Sequence, residues 1–376
     1  MAFLYSNWSV LEAAKDVRKY GAVGDGSTDN AAFLQAAVDD AATPHTSARR
    51  GELIFPPGNF VINSPVTWDG AISIGFKGLP GARISGDFAD ALLKRAVDSP
   101  LAGVFEIEGL QLYNSHASGK AVMMHSCLAV SMRNCEVNAW RGIETYNSQC
   151  ATIDTCSFIA PAASATSVGI MAGNATTVLN TDVSSYNHGI RHQNVGLVVT
   201  GGRYEVNGVG IMLGQDENGG TLGSSSVKIS APSMETNATG IHCQALAAAS
   251  ISCKIGGNDT IDYGIRIIDA NGVDFHGVIC SCSGTFDNAG ISIEGASDVT
   301  FNACLADSWN IATGLTSFDM RQCNVELTVA QLPTSARVGT ILPVSDATAT
   351  TEGTTVSGGG SNHVAVVRTA SSWRII

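Results

Sequence analysis

From residue 142 onward the chain keeps returning to one pair, a glycine followed by an aliphatic residue: Gly142-Ile143, Gly169-Ile170, Gly189-Ile190, Gly210-Ile211, Gly240-Ile241, Gly264-Ile265, Gly290-Ile291 and Gly314-Leu315. Successive pairs stand 20 to 30 residues apart, about 25 on average. Helical repeats run longer, and no stretch here alternates at helical period. A second register runs through the middle of the repeats: ATIDTCSFI (151–159), LVVTGGRYE (197–205), VKISAPSME (227–235), ISCKIGGND (251–259), VDFHGVICS (273–281) and VTFNACLAD (299–307). Their first and third positions are mostly apolar and their second and fourth mostly polar, the pattern of a strand with one face inside. A unit this short cannot bury that face alone, so neighbouring units must stack to create a core. The expectation is an all-β solenoid of stacked coils, with its insertions in turns at the rim of any groove.

Composition agrees. The 376 residues include 41 Gly and 10 Pro, and only 14% are charged, which suits a turn-rich β protein better than a helical one. Apolar residues reach 44% and mean hydropathy is +0.15, enough for a sizeable core. A net charge of −12 without a basic stripe argues against nucleic acid as a partner. No apolar run is long enough for a membrane helix, and the first residues lack the basic and apolar regions of a secretory signal. The ten cysteines read as reduced core residues. Cys280-x-Cys282 has no partner at ligand spacing, so neither a metal nor another cofactor is expected.

The ends differ from the middle. Residues 16–42 offer Ser27, Thr28 or Asp29 as an N-cap, then Ala32, Phe33, Ala36, Ala37 and Ala41 at helix spacing. Such a helix would cover the open end of the solenoid. GELIFPPGNFVI (51–62) reads as strand, turn and strand. The tail after Gln331 is rich in Thr, Ser and Gly with short Val/Ile strands, a small β cap or self-association module. The expected organisation is an N-terminal segment with capping helix over 1–62, the β-helix over 63–330, and the C-terminal module over 331–376.

The run VRKYGAVGDGSTDN (17–30), followed by FPPGNF (55–60), resembles the opening of the pectate-lyase-like β-helix superfamily, particularly bacteriophage tailspikes and capsule depolymerases. GGRYEVNGVGIMLGQD (201–216) and METNATGI (234–241) are also similar to phage members. The resemblance implies a right-handed parallel β-helix acting on a bacterial surface polysaccharide. It further implies a homotrimer, with a place on a virion tail or an extracellular site of action. It does not fix the reaction, because the superfamily spans hydrolases, lyases, epimerases and non-catalytic spikes.

Candidate chemistry comes from columns. The ninth position of the strand alignment reads Ile159, Tyr186, Glu205, Glu235, Asp259, Ser281, Asp307. Adjacent rungs are about 4.8 Å apart. Stacked acids raise one another's pKa, and glycoside hydrolysis needs one protonated and one ionised carboxylate. Glu205, Glu235 and Asp259 are therefore candidate catalytic residues, with Asp216 in the QDENGG insertion able to reach the same groove. In Glu-x-Asn (205–207 and 235–237) the asparagines read as turn residues. Arg191, His242 and Arg266 share a position just after a Gly-Ile pair and point outward. A cationic column fits a uronate, with Arg neutralising its carboxylate and His or Tyr abstracting the C5 proton, the alternative lyase chemistry. His192 falls on the inward parity. Tyr146, Tyr186, Tyr263 and Trp309 are aromatics able to stack on sugar rings. A glycan-binding spike without catalysis is the other class of function open at this stage.

Overall fold

The computed structural model describes residues 14–41, 51–68, 73–95, 103–162, 165–215, 223–257, 261–283, 285–294, 297–312, 317–321, 323, 325–332, 336 and 338–376. The chain is an all-β, right-handed parallel β-helix of about 9 turns, followed by a small antiparallel sheet. It divides into two compact units, residues 1–208 and 209–376.

One coil of the first unit shows the plan. Ala129–Arg133 and Glu136–Ala139 occupy two faces (here the second and third), and Arg141–Glu144 occupies the first. Each pairs in parallel and in register with the next coil: Val130 on Ala151, Glu136 on Ser157, Ile143 on Ile170. Alternate side chains then line up by coil. Leu93, Val122, Ile143, Ile170 and Ile190 form one interior column, all fully buried. In the second unit Ile211, Ile241, Ile265 and Ile291 do the same. The Gly-aliphatic repeat, from Gly142-Ile143 to Gly290-Ile291, is therefore the inward column of the first face, and Gly314-Leu315 lies outside the described residues.

The glycine of each pair has a steric cause. A Cβ on Gly142 would lie 2.3 Å from the Gly169 carbonyl oxygen and 2.5 Å from the Phe158 ring. One on Gly240 would meet the Gly264 oxygen at 2.6 Å and Ile255 at 2.8 Å. At this corner the chain passes so close to the next coil and to the core that no side chain fits.

The corner between second and third faces is built differently. Gly109, Asn134, Thr155, Asn180 and Gly201 all have positive φ, from 44° to 70°. Asn134 and Thr155 donate their backbone N–H to the following coil at 3.2 and 3.0 Å. The left-handed residue turns the next one inward, so Leu110, Cys135, Cys156 and Thr181 are buried. Seven of the ten cysteines are buried, and burial raises the thiols of Cys243, Cys253 and Cys280.

The helix spans Ala31–Ala41, and Asp29 Oδ1 accepts from the Ala31 N–H at 3.0 Å. Its buried face is Ala31, Leu34, Ala37, Val38 and Ala41, so of the expected set only Ala37 and Ala41 turn inward. The larger aliphatics Leu34 and Val38, one turn apart, take the inner side and leave Phe33 out. Gln35 ties the helix to the first face by exchanging two hydrogen bonds with the Thr67 backbone, at 2.7 and 2.8 Å. The strands on either side of Pro57 are Gly51–Phe55 and Gly58–Val61, and both join the ladder of coils. The tail forms an antiparallel sheet from Ile341–Ala347, Asn362–Arg368 and Trp373–Ile375.

Candidate functional site

The residue after each Gly-Ile pair points outward from the first face. In the first unit this column runs Lys94, Met123, Glu144, Met171, Arg191. Glu144 is only 4% exposed. Lys120 Nζ reaches its Oε2 at 2.9 Å, and Arg141 reaches Oε1 at 2.8 Å. Burial pushes its carboxyl pKa up, but the two cations together outweigh burial and hold it below the ordinary value. Glu144 is thus an ionised anchor rather than a proton donor. His125 lies 4.0 Å from it and packs against the Tyr146 ring. Arg191 is buried in the same column, and His192 beside it is fully buried on the inward side.

In the second unit the column runs Met212, His242, Arg266, Ser292, Asn310. His242 and Arg266 are therefore direct rung neighbours. The imidazole is half-buried, and its Nε2 is buried with no hydrogen-bond partner among the described residues. Burial, and then the charge of Arg266, lower its pKa below 6.5, while Glu294 acts weakly the other way. Arg266 lies over the Tyr263 ring, 5.1 Å from its centroid, and its Nε stands 3.6 Å from Glu294 Oε1. That ion pair is too long for a hydrogen bond. Ser292 and Asn310 add polar groups in the next two rungs. The result is a neutral base with a ring nitrogen unpartnered among the described residues, a guanidinium beside it and a phenol ring stacked against that guanidinium. Such a set can take a proton from carbon next to a bound carboxylate.

The acid column of the third face does not assemble as expected. Glu205 is half-buried and stands on Ser184, which stands on Ile159. Its carboxylate lies 3.6 Å from Arg203, which also binds Asp182 at 2.8 Å. Tyr186 lies two residues past that column and is 2% exposed, a core residue and not a sugar platform. Glu235 is exposed and accepts from the Ser233 hydroxyl at 3.1 Å. Its rung partner is Gly256, not Asp259. Asp259 and Asp216 lie outside the described residues. Asp307 accepts from the Cys282 backbone N–H at 3.1 Å, a turn-closing contact. The turn asparagine after Glu205 behaves as expected. Asn207 accepts from Tyr186 N–H and donates to the Val183 carbonyl, both at 3.0 Å. Trp309 continues the interior Ile291 column and meets the Phe301 ring edge-on at 5.5 Å, so it is packing.

Glu144, Lys120 and Glu294 were not among the residues singled out from sequence. The signal was available for Glu144. It holds the position after Gly142-Ile143 that Arg191, His242 and Arg266 hold after theirs.

Residues 14–242 match the family model described as rhamnogalacturonase A/epimerase, pectate lyase-like. The chain belongs to this pectate-lyase-like family. No curated protein matches it. Among solved structures it is similar to the mannuronan C-5 epimerase A-module of Azotobacter vinelandii, at 14% identity and a TM-score of 0.54 over 86% of this chain and 99% of that one. It is also similar to the family 28 exopolygalacturonase of Yersinia enterocolitica, at 11% identity and TM-score 0.56 over 86% and 77%. A third is the tailspike of E. coli bacteriophage HK620, solved with a pentasaccharide, at 12% identity and TM-score 0.54 over 86% and 67%. At these identities the likeness of this pectate-lyase-like chain to its neighbours is one of fold.

Proposed function

We propose that this protein depolymerises a uronate-containing bacterial polysaccharide by β-elimination, with His242 as the base. The observation that carries this reading is the neutral imidazole of His242, its Nε2 without a hydrogen-bond partner among the described residues, one rung from Arg266. Arg266 binds the uronate carboxylate and stabilises the charge that develops as C5 loses its proton. The C5–H electron pair becomes the C4–C5 double bond, the C4–O4 bond breaks, and the departing oxygen takes a proton from Tyr263. A mannuronan C-5 epimerase among the similar structures supports the reading, since C-5 epimerisation also starts at that proton. The phage tailspike supports action on a bacterial surface glycan, on a virion tail or outside the cell. We further propose a homotrimer with the tail after residue 331 at the interface, where Val338 and Ile341 are 70% and 57% exposed.

The test is digestion of a panel of polyuronates and capsular polysaccharides, following unsaturated-uronate absorbance alongside reducing ends. Expected is absorbance growing in step with reducing ends. His242→Ala should lower kcat by at least about 10²-fold, and Arg266→Ala should both lower kcat and raise KM. A second reading is hydrolysis by third-face carboxylates, with Glu205 in the first unit and Glu235 in the second as separate candidates, each reached by solvent. Reducing ends without the double bond, lost in Glu205→Gln or Glu235→Gln, would establish it. Full activity in all four variants would reject both sites. Binding without any cleavage would leave a glycan-binding spike.

A further inference from the structure

The third face of the first unit carries a second built surface. Its outward positions form two columns, one through Asn59, Arg83, Gln111, Glu136, Ser157 and Asp182, the other through Val61, Ser85, Tyr113 and Asn138. Their side chains are bonded across the rungs. Arg83 Nε donates to Gln111 at 3.1 Å, and Gln111 donates to Glu136 at 3.1 Å. The Tyr113 hydroxyl donates to the other oxygen of Glu136. The Arg83 guanidinium stacks 4.1 Å from the Tyr113 ring centroid, and Ser85 donates to Asn59 at 2.8 Å. Two hollows flank this ridge. The larger, about 480 Å³, opens where the left-handed corner at Asn134 and Thr155 turns inward, and is lined by Gln111, Glu136, Ser157 and Asp182. The smaller, about 370 Å³, is lined by Ser85, Asp87, Tyr113 and Asn138.

We propose that this face is a binding site for a neutral, hydroxyl-rich oligosaccharide, separate from the first-face chemistry. Both hollows fall in the size range of small-ligand sites and offer fixed amide, hydroxyl and carboxylate groups at their rims. Carboxylates and amides accept from and donate to sugar hydroxyls, and a clamped tyrosine gives a ring for the apolar side of a pyranose. The charge decides the class of sugar. Glu136, Asp87 and Asp182 line the hollows against two arginines, Arg83 in the ridge and Arg203 paired with Asp182 at 2.8 Å, so the surface keeps a net negative charge. A uronate would be repelled here, whereas a neutral chain would not. The proposal does not depend on the reaction at His242.

The full-length protein is titrated with cellotetraose, maltotetraose and N-acetylchitotetraose by calorimetry and saturation-transfer NMR. At least one should bind. Tyr113→Ala and Glu136→Gln should each weaken it roughly tenfold. Ser85→Trp, which fills the smaller hollow from an outward position, should abolish it. His242→Ala should leave it unchanged, and polygalacturonate should not compete. Thermal unfolding checks each variant, and should Tyr113→Ala unfold, Glu136→Gln and Ser85→Trp decide the matter. The idea is overturned if none of the three tetrasaccharides binds, if binding survives Ser85→Trp and Glu136→Gln undiminished, or if polygalacturonate displaces the sugar.

Discussion

Replacing the repeat glycines by alanine should destabilise the protein in an order read from the close approaches at each. At Gly142 a Cβ would sit 2.3 Å from a backbone oxygen and 2.5 Å from the Phe158 ring. At Gly240 the two nearest atoms are 2.6 and 2.8 Å away, and at Gly290 they are 2.9 and 3.2 Å away. Neither a carbonyl paired into the ladder nor a packed ring can retreat by most of an ångström. Overpacking of this kind costs about 1–3 kcal/mol, sometimes more. Alanine recovers roughly 0.4–1 kcal/mol by restricting the unfolded chain. The net expectation is a loss of about 3 kcal/mol for Gly142→Ala, about 2 for Gly240→Ala, and at most about 1 for Gly290→Ala. Urea unfolding followed by far-UV circular dichroism gives these differences from the midpoints at constant slope. Equal losses at Gly142 and Gly290, or none at Gly142, would refute the claim that this corner admits no side chain.

Three further outcomes are expected. Burial lowers His192 from 6.5 to about 4, so between those pH values the unfolded chain binds a proton that the folded chain refuses. Stability should fall by roughly 3 kcal/mol as pH drops through that window, and His192→Leu should flatten the profile; urea midpoints measured against pH decide it. With His242 as the proposed neutral base, activity should be complete above its lowered pKa and lost as pH falls through it, with an acid limb below 6.5. Arg266→Ala should move that limb up and Glu294→Gln should move it down, because the two charges act on the imidazole in opposite senses; shifts of the same sign would contradict the proposed pairing. Light scattering should give a mass near three times 38.9 kDa, and a solution monomer would reject the trimer.

The coil was legible because stacking imposes the same demand on every repeat. The first-face column needs an aliphatic residue inside and no side chain just before it, so Gly-Ile recurs whatever else changes. Register on the other faces was not legible to the same degree. A slip of one residue exchanges the two faces of a strand and is visible in the alternation. A slip of two leaves the alternation intact. That is how Tyr186 came to be aligned with Glu205, when the residue opposite is Ser184. The second unit adds a bulge. Ser230 pairs with Ser252, yet Ser233 pairs with Lys254, so three steps on one strand oppose two on the other. Ala231, at φ 57°, marks the extra residue. Together the slip and the bulge carry Glu235 to Gly256 and away from Asp259. In VKISAPSME the trace of the extra residue is the change of parity from the buried Val227 and Ile229 to the buried Met234.

The same reasoning explains why the first face is the better place to look for chemistry. Its glycine and aliphatic positions are fixed by packing, and the next residue is held outward at a constant height by the ladder on either side. Packing alone does not choose that residue. A surface under no further demand would carry exposed polar groups there, as the end of the third face does at Glu235. Here the position holds Glu144, Arg191 and His242, all buried or half-buried. Burying an ionisable group is costly unless a partner or a function compensates. Glu144 has its partners in Lys120 and Arg141. His242 has a ring nitrogen with none among the described residues, and burial, then the charge of the arginine beside it, keep it neutral. The carboxylate of a uronate bound at Arg266 would bring the missing partner, a carbon acid, to that nitrogen.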